Sequence, residues 1–147
     1  MTGGLQAKGY LRGSRRMVME ITVRSHFDAA HFLPDYPGKC SRVHGHRWVV
    51  EASFEGKPDP LSGMLRDFAD LKLTLALVCD KLDHHLINQR GKELSSKLLE
   101  RPTAENLAVW LYQQLQPACG ALMEERAGLT QVRVFESPDC WVTYRGS

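Results

Sequence analysis

Three histidines have the spacing that a metal-binding site requires. His44 and His46 flank Gly45, and because alternate residues of a strand point the same way, their imidazoles can converge on one metal ion. His31 ends the preceding strand pattern, so an antiparallel hairpin would place it beside that pair. Three neutral imidazoles that leave a fourth position open are typical of a catalytic zinc site. The alternative is a set of solvated histidines at the edge of a loop.

Two carboxylates could take part in acid–base or ligand chemistry. Asp83 directly precedes His84 after a helical pattern, and a carboxylate beside an imidazole can orient the ring and raise its basicity. The alternative is that the dipole at a helix C-terminus stabilises cationic histidines there. The spacing alone supports this alternative. Glu136 follows an apolar strand pattern, where a carboxylate needs a partner. An arginine of the same chain is the common partner, and a flat, amide-like ligand edge is the alternative.

The four cysteines form no CxxC pair, which excludes a zinc ribbon and a dense disulfide scaffold. Cys79 falls in a helical pattern and Cys140 in a short strand, so both are predicted to be buried and inert. Cys40 lies among polar and turn residues close to the histidines. Its thiolate could therefore act as a second base or as a nucleophile.

The strands that must position these groups follow from hydrophobic alternation. Residues 20–32 are predicted to form one strand and residues 44–55 another. In the second, His44 and His46 share the parity of the apolar residues that follow. Two short strands near the end of the chain flank a turn at residues 137–139, which predicts a hairpin.

Helical spacing of leucines predicts two helices between these strand pairs. The first covers residues 70–82, and the second begins after Thr103, an N-cap candidate with Glu105 in the first turn. Pro117 is predicted to end or kink this second helix. The order ββααββ predicts an α+β fold in which an antiparallel four-stranded sheet carries both helices on one face. The other face would be left for solvent or another subunit.

Length and composition indicate one globular domain. The chain has 147 residues, 43% of them hydrophobic and 24% charged. Its apolar runs are far shorter than a membrane span requires, so we expect a cytoplasmic protein with no membrane partner. Residues 1–17 carry four basic and no acidic residues and are predicted to be a disordered basic extension. The remaining domain, residues 18–147, then has 15 basic and 17 acidic residues, a charge balance that argues against a nucleic-acid-binding surface.

Six motifs, in this order, make the chain resemble the 6-pyruvoyl-tetrahydropterin synthase superfamily. They are FDAAH (27–31), CSRVHGH (40–46), MLRDF (64–68), LDHH (82–85), PTAENLA (102–108) and VFES (134–137). The resemblance covers residues 20–146. Within the family, the three-residue gap between Cys40 and the HGH motif is similar to the bacterial 6-carboxy-tetrahydropterin synthases of queuosine biosynthesis, a tRNA-modification pathway. A third branch has glutamate in place of Cys40, which argues against that branch.

The resemblance implies a T-fold whose subunits join their sheets into a barrel, as a homo-oligomer with active sites between subunits. It implies these site residues: Zn²⁺ on His31, His44 and His46; catalysis by Cys40, Asp83 and His84; and pterin binding by Glu136, Thr103 and Glu105. The implied reaction converts 7,8-dihydroneopterin triphosphate to 6-carboxy-5,6,7,8-tetrahydropterin, acetaldehyde and triphosphate. Alternatives are a pyruvoyl product with the side chain retained, a zinc hydrolase that activates water, and a non-catalytic pterin-binding T-fold protein.

Overall fold

The sheet consists of four antiparallel strands whose order in space is their order in the chain. The computed structural model describes residues 17–146. The strands are β1 (Met19–His31), β2 (His44–Gly56), β3 (Ala127–Ser137) and β4 (Cys140–Tyr144). This confirms the predicted sheet. The predicted basic extension falls, apart from Met17, outside the described residues.

One face of the β1–β2 hairpin is apolar and packs against the helices. Phe27 of β1 pairs with Trp48 of β2, and their rings stack with centroids 6.2 Å apart. Both side chains are fully buried, as is Val50. The same register pairs His31 with His44 at the open end of the hairpin. The apolar rows that anchor the sheet therefore continue directly into the candidate ligands.

Four helices cover this face. They are α1 (Phe68–Asp80), α2 (Ile87–Glu93), α3 (Lys97–Glu100) and α4 (Ala104–Met123). Helix α1 packs on β1, and α4 packs on β3 and β4. As predicted, Thr103 is the N-cap of α4. Its Oγ1 accepts a hydrogen bond from the backbone N–H of Asn106 at 3.1 Å. Within residues 17–146, no helix has both the length and the apolar character needed to cross a bilayer.

Two features of the helical layer differ from the prediction. Helices α2 and α3 are short and were not predicted, because seven and four residues are too few to display a helical hydrophobic period. Pro117 does not end α4, which continues to Met123. Burial of Cys119 and Met123 against the core offsets the hydrogen bond that the proline removes.

The cysteines divide by position in the fold. Cys79 is buried, as predicted, and burial raises the pKa of its thiol to about 12. Cys119 is also buried, which raises its pKa to about 11. The prediction for Cys140 was wrong, since this residue is exposed. It begins β4, an edge strand, directly after the turn from β3.

Candidate active site

Three imidazoles meet at the open end of the β1–β2 hairpin. The Nε2 atom of His31 lies 3.1 Å from the Nε2 atom of His44. The ring centroid of His46 is 5.2 Å from that of His31 and 4.9 Å from that of His44. Trp48 forms the floor, with its ring 4.8 Å from that of His31 and 5.2 Å from that of His46. The structure therefore brings together the three histidines that strand parity selected.

Backbone carbonyls determine which nitrogen of two of these rings carries the proton. The Nδ1 atom of His31 donates to the carbonyl of Pro102 at 2.7 Å, and that of His44 donates to the carbonyl of Arg42 at 2.6 Å. Because a carbonyl oxygen only accepts, each Nδ1 holds the proton and each Nε2 presents a lone pair. Burial lowers the pKa of His31, which keeps the ring neutral. Two facing lone pairs fit a cation between them.

His46 provides a third nitrogen with the character of a ligand. Its Nε2 atom is buried, and among the described residues it has no hydrogen-bond partner. Burial lowers the pKa of His46, so its ring is neutral as well. Because buried polar atoms are normally paired, an orphaned nitrogen beside two lone pairs fits a metal site.

Glu136 adds a carboxylate to the group. Its Oε1 atom lies 3.3 Å from the Nε2 atom of His46 and 3.8 Å from that of His31. The ligand atoms of the four residues all lie within 4.8 Å of one another. Zinc bonds of 2.0–2.1 Å in a tetrahedron would place ligand atoms about 3.3 Å apart, so the set fits such an ion. Within the described part of the chain, the arginine partner expected for Glu136 is not found, and two histidines take its place.

Asp83 and His84 form the predicted pair. One oxygen of Asp83 accepts from Nδ1 of His84 at 2.8 Å, and the other accepts from the backbone N–H of Asp28 at 2.8 Å. These hydrogen bonds, the backbone one first, hold the pKa of Asp83 below its ordinary value of 3.8. The His84 side chain is 80% exposed. The pair therefore presents an oriented imidazole to solvent.

The segment that carries His84 runs along the edge of β1. The backbone N–H of His84 donates to the carbonyl of Asp28 at 2.7 Å. Asn88 then clamps the end of β1, since its side chain accepts from and donates to the backbone of Phe32 at 3.0 and 2.9 Å. His84 has a φ of 58°, which is costly for a residue other than glycine. These backbone contacts hold the strained residue beside the sheet.

Two residues of the site were missed by the sequence analysis, namely Asp28 and Arg47. Arg47 donates to both oxygens of Asp28, from Nε at 2.9 Å and from Nη2 at 3.0 Å. Arg47, His46 and His84 border one open cavity of about 560 Å³, so one member of the metal-ligand group and one of the acid–base pair line the same space. The available signal was the pairing of opposite charges directly across the predicted hairpin.

The remaining predicted residues lie on the surrounding loops and caps. Cys40 is in a short 3₁₀ turn, Lys39–Ser41, and its carbonyl accepts from the backbone N–H of Leu33 at 2.7 Å. In the described part of the chain, no hydrogen bond joins the Cys40 thiol to the histidines. Thr103 directly follows Pro102, which holds His31, and Glu105 is exposed in the first turn of α4. The structure alone does not bring these three side chains into the histidine group.

Comparisons with known proteins find relatives over most of the chain. The family model described as 6-pyruvoyl tetrahydropterin synthase matches residues 20–147. The 6-carboxy-5,6,7,8-tetrahydropterin synthase of Rickettsia bellii is 33% identical over 138 residues, covering 85% of this chain and 99% of that protein. The enzyme of that name from Bacillus subtilis is 35% identical over 127 residues, covering 86% and 84%.

A solved structure extends the similarity to the fold. The 6-pyruvoyl tetrahydropterin synthase of Caenorhabditis elegans superposes with a TM-score of 0.75 at 29% identity, covering 90% of this chain and 99% of that one. The predicted ββααββ subunit of a T-fold is thereby confirmed. From the family match, the relatives and this superposition together, the chain belongs to the 6-pyruvoyl tetrahydropterin synthase family.

Proposed function

We propose that this chain is a zinc-dependent 6-carboxy-5,6,7,8-tetrahydropterin synthase. It would convert 7,8-dihydroneopterin triphosphate and water to 6-carboxy-5,6,7,8-tetrahydropterin, acetaldehyde and triphosphate, in the cytoplasm and on the queuosine pathway. The observation that carries the proposal is the convergence of three imidazoles, from His31, His44 and His46. His84, which is held by Asp83, borders the same cavity as His46. The names of the bacterial relatives support the carboxy product.

The proposed division of labour follows from the hydrogen bonds. His31 and His44 offer Nε2 atoms to the metal because their Nδ1 protons are already engaged. When bound, zinc supplies Lewis-acid polarisation of substrate oxygens and lowers the pKa of substrate hydroxyls. Asp83 fixes Nδ1 of His84 as the protonated nitrogen, so Nε2 is the atom that accepts a proton. Cys40 is proposed as the second proton carrier, acting from the opposite face of the substrate.

Pterin binding is proposed for Glu136, Thr103 and Glu105. A carboxylate can accept two hydrogen bonds from a guanidine-like edge such as that of a pterin, and Glu136 is one-third exposed. Thr103 adjoins Pro102, the residue that fixes His31, so a pterin near Thr103 would have its side chain near the metal. The Thr103 hydroxyl already caps α4, and it retains a donor for a ligand.

A homo-oligomer with active sites between subunits is part of the proposal. The sheet face opposite the helices exposes half of Trp141, which contacts Phe135 with ring centroids 5.3 Å apart. Arg24 lies over Phe135 at 5.7 Å. Burial of these side chains against other subunits would stabilise an assembly. Sedimentation velocity at micromolar concentration tests this, and a monomer would contradict it.

The deciding experiment identifies the product. Purified protein is incubated with 7,8-dihydroneopterin triphosphate, with and without a zinc chelator, and products are identified by mass spectrometry. We expect 6-carboxy-5,6,7,8-tetrahydropterin with stoichiometric acetaldehyde, lost on chelation and restored by added zinc. The second candidate is the pyruvoyl product, favoured by the similarity to the C. elegans protein. No turnover by the zinc-loaded protein would overturn both and favour a binding role.

A further inference from the structure

We infer that Glu136 is the fourth metal ligand of the substrate-free protein, so that substrate must displace a carboxylate to reach the metal. The inference rests on the proposed metal-dependent function. The Oε1 atom of Glu136 lies 3.3 Å from the Nε2 atom of His46. This nitrogen is buried and forms no hydrogen bond among the described residues. A shared cation explains this proximity, since ligands of one ion approach each other without hydrogen bonding.

The backbone of β3 aims Glu136 at the histidines. Val132 and Val134 are fully buried on the helix-covered face, and Glu136 continues their row. The register between β3 and β4 shifts between Phe135 and Ser137, so Glu136 is the extra residue of a bulge. Bulges re-aim side chains and are frequent beside active sites. The direction of Glu136 is therefore fixed by the sheet.

A carboxylate in the fourth position has a chemical consequence. A metal ion with three neutral imidazoles and a water generates hydroxide near neutral pH and hydrolyses bound esters. With Glu136 in that position, the resting site holds no such water. The triphosphate ester of the proposed substrate would then be protected from direct hydrolysis until the substrate side chain takes the position of the carboxylate, which releases Glu136 to bind the pterin. This argues against the zinc hydrolase alternative.

The test compares two glutamate substitutions in the full chain. Metal is removed by dialysis against a chelator, and zinc affinity is measured by competition with a chromophoric chelator. We expect Glu136→Gln to weaken zinc binding by about tenfold or more. Glu55→Gln, the same change at an exposed position at the far end of β2, should leave the affinity unchanged. Circular dichroism checks that both variants are folded.

Cobalt reports the fourth ligand directly. The visible spectrum of the Co²⁺-loaded wild-type protein should stay constant between about pH 6 and 8. That of Co²⁺-loaded Glu136→Gln should change with a midpoint near pH 7, because an ionisable water replaces the carboxylate. If Glu136→Gln does not fold, the wild-type titration alone decides.

The outcomes separate this inference from the proposed function. A pH-dependent spectrum of the wild-type protein, or equal zinc affinity of wild type and Glu136→Gln, would overturn the role of Glu136. If such a protein still makes the pterin product with zinc, only this inference is lost. If the wild-type protein binds neither zinc nor cobalt, both the inference and the zinc-dependent function are lost.

Discussion

The Nε2 atoms of His31 and His44 face each other at 3.1 Å. The carbonyls of Pro102 and Arg42 accept the Nδ1 protons of the two rings, which leaves a lone pair on each Nε2. A protonated Nε2 would bridge the two rings, but burial disfavours the charged form of His31. The fold therefore holds two lone pairs at a separation that a cation relieves, and zinc should stabilise the folded state.

Zinc is expected to raise the melting temperature. At a concentration about 100 times its dissociation constant, a ligand that binds only the folded state stabilises it by about 2.7 kcal/mol. For a domain of this size, this corresponds to roughly 5–10 °C. Differential scanning fluorimetry of chelator-treated protein, with zinc or Mg²⁺ added, measures the shift. His44→Ala, which removes one ligand, should show no rise, and an equal rise in this variant would exclude the three-histidine site.

Cys40→Ala is expected to separate chemistry from metal binding. Loss of an acid–base group typically lowers turnover by 10²–10⁴-fold, while the zinc ligands are untouched. Product formation and zinc content are measured on the same preparation. Cys140→Ala is the matched control, since Cys140 is exposed in the β3–β4 hairpin. Turnover of Cys40→Ala at the rate of this control would remove Cys40 from the mechanism.

Two Gly→Ala substitutions should shift stability in opposite directions. A Cβ at Gly91 would lie 2.6 Å from backbone atoms of Leu99 and Glu100, so Gly91→Ala must separate α2 from α3 at a cost of about 1–3 kcal/mol. Outside the adjacent backbone of α4, no described atom lies within 4 Å of a Cβ at Gly120, so Gly120→Ala should stabilise by about 0.5–1 kcal/mol. Urea denaturation measures both. A Gly91→Ala variant as stable as the wild-type protein would show that the α2–α3 contact is not close-packed.

The histidine group was predictable because its geometry is set by strand periodicity. The parity of His44 and His46 with Trp48 fixed their face, and the hairpin length fixed the approach of His31. Both features depend on residues adjacent in sequence, which is the range over which pattern arguments hold. Local patterns also predicted the four strands of the sheet and Thr103 as the N-cap of α4.

The parts that could not be predicted depend on contacts distant in sequence. Asp83 is oriented by the backbone of Asp28, 55 residues earlier, and no local pattern announces that contact. Glu136 continues the buried row of Val132 and Val134, but the histidines that it meets lie on β1 and β2, far earlier in the chain. Pro117 was predicted from local propensity to end or kink α4, and tertiary packing of the last turn lets the helix continue past it to Met123.

The stability of the protein in acid should depend on Asp83. Hydrogen bonds from Asp28 and His84 lower the pKa of this carboxyl in the folded state below 3.8. In the unfolded chain, the carboxyl therefore takes up a proton at higher pH than in the folded protein. Its contribution to stability is present above about pH 4 and is lost as the pH falls through the folded-state pKa. Asp83→Asn removes the titrating carboxyl group and keeps a side-chain oxygen that can accept a hydrogen bond from the backbone N–H of Asp28.

We therefore expect the free energy of unfolding to fall less between pH 5 and pH 3 in Asp83→Asn than in the wild-type protein. Urea denaturation at the two pH values measures the difference. Asp139→Asn, an exposed aspartate in the β3–β4 turn, is the control and should follow the wild-type profile. An identical acid dependence in wild type and Asp83→Asn would mean that the backbone hydrogen bond does not favour the charged carboxylate. The orientation of His84 would then have to come from its strained backbone alone.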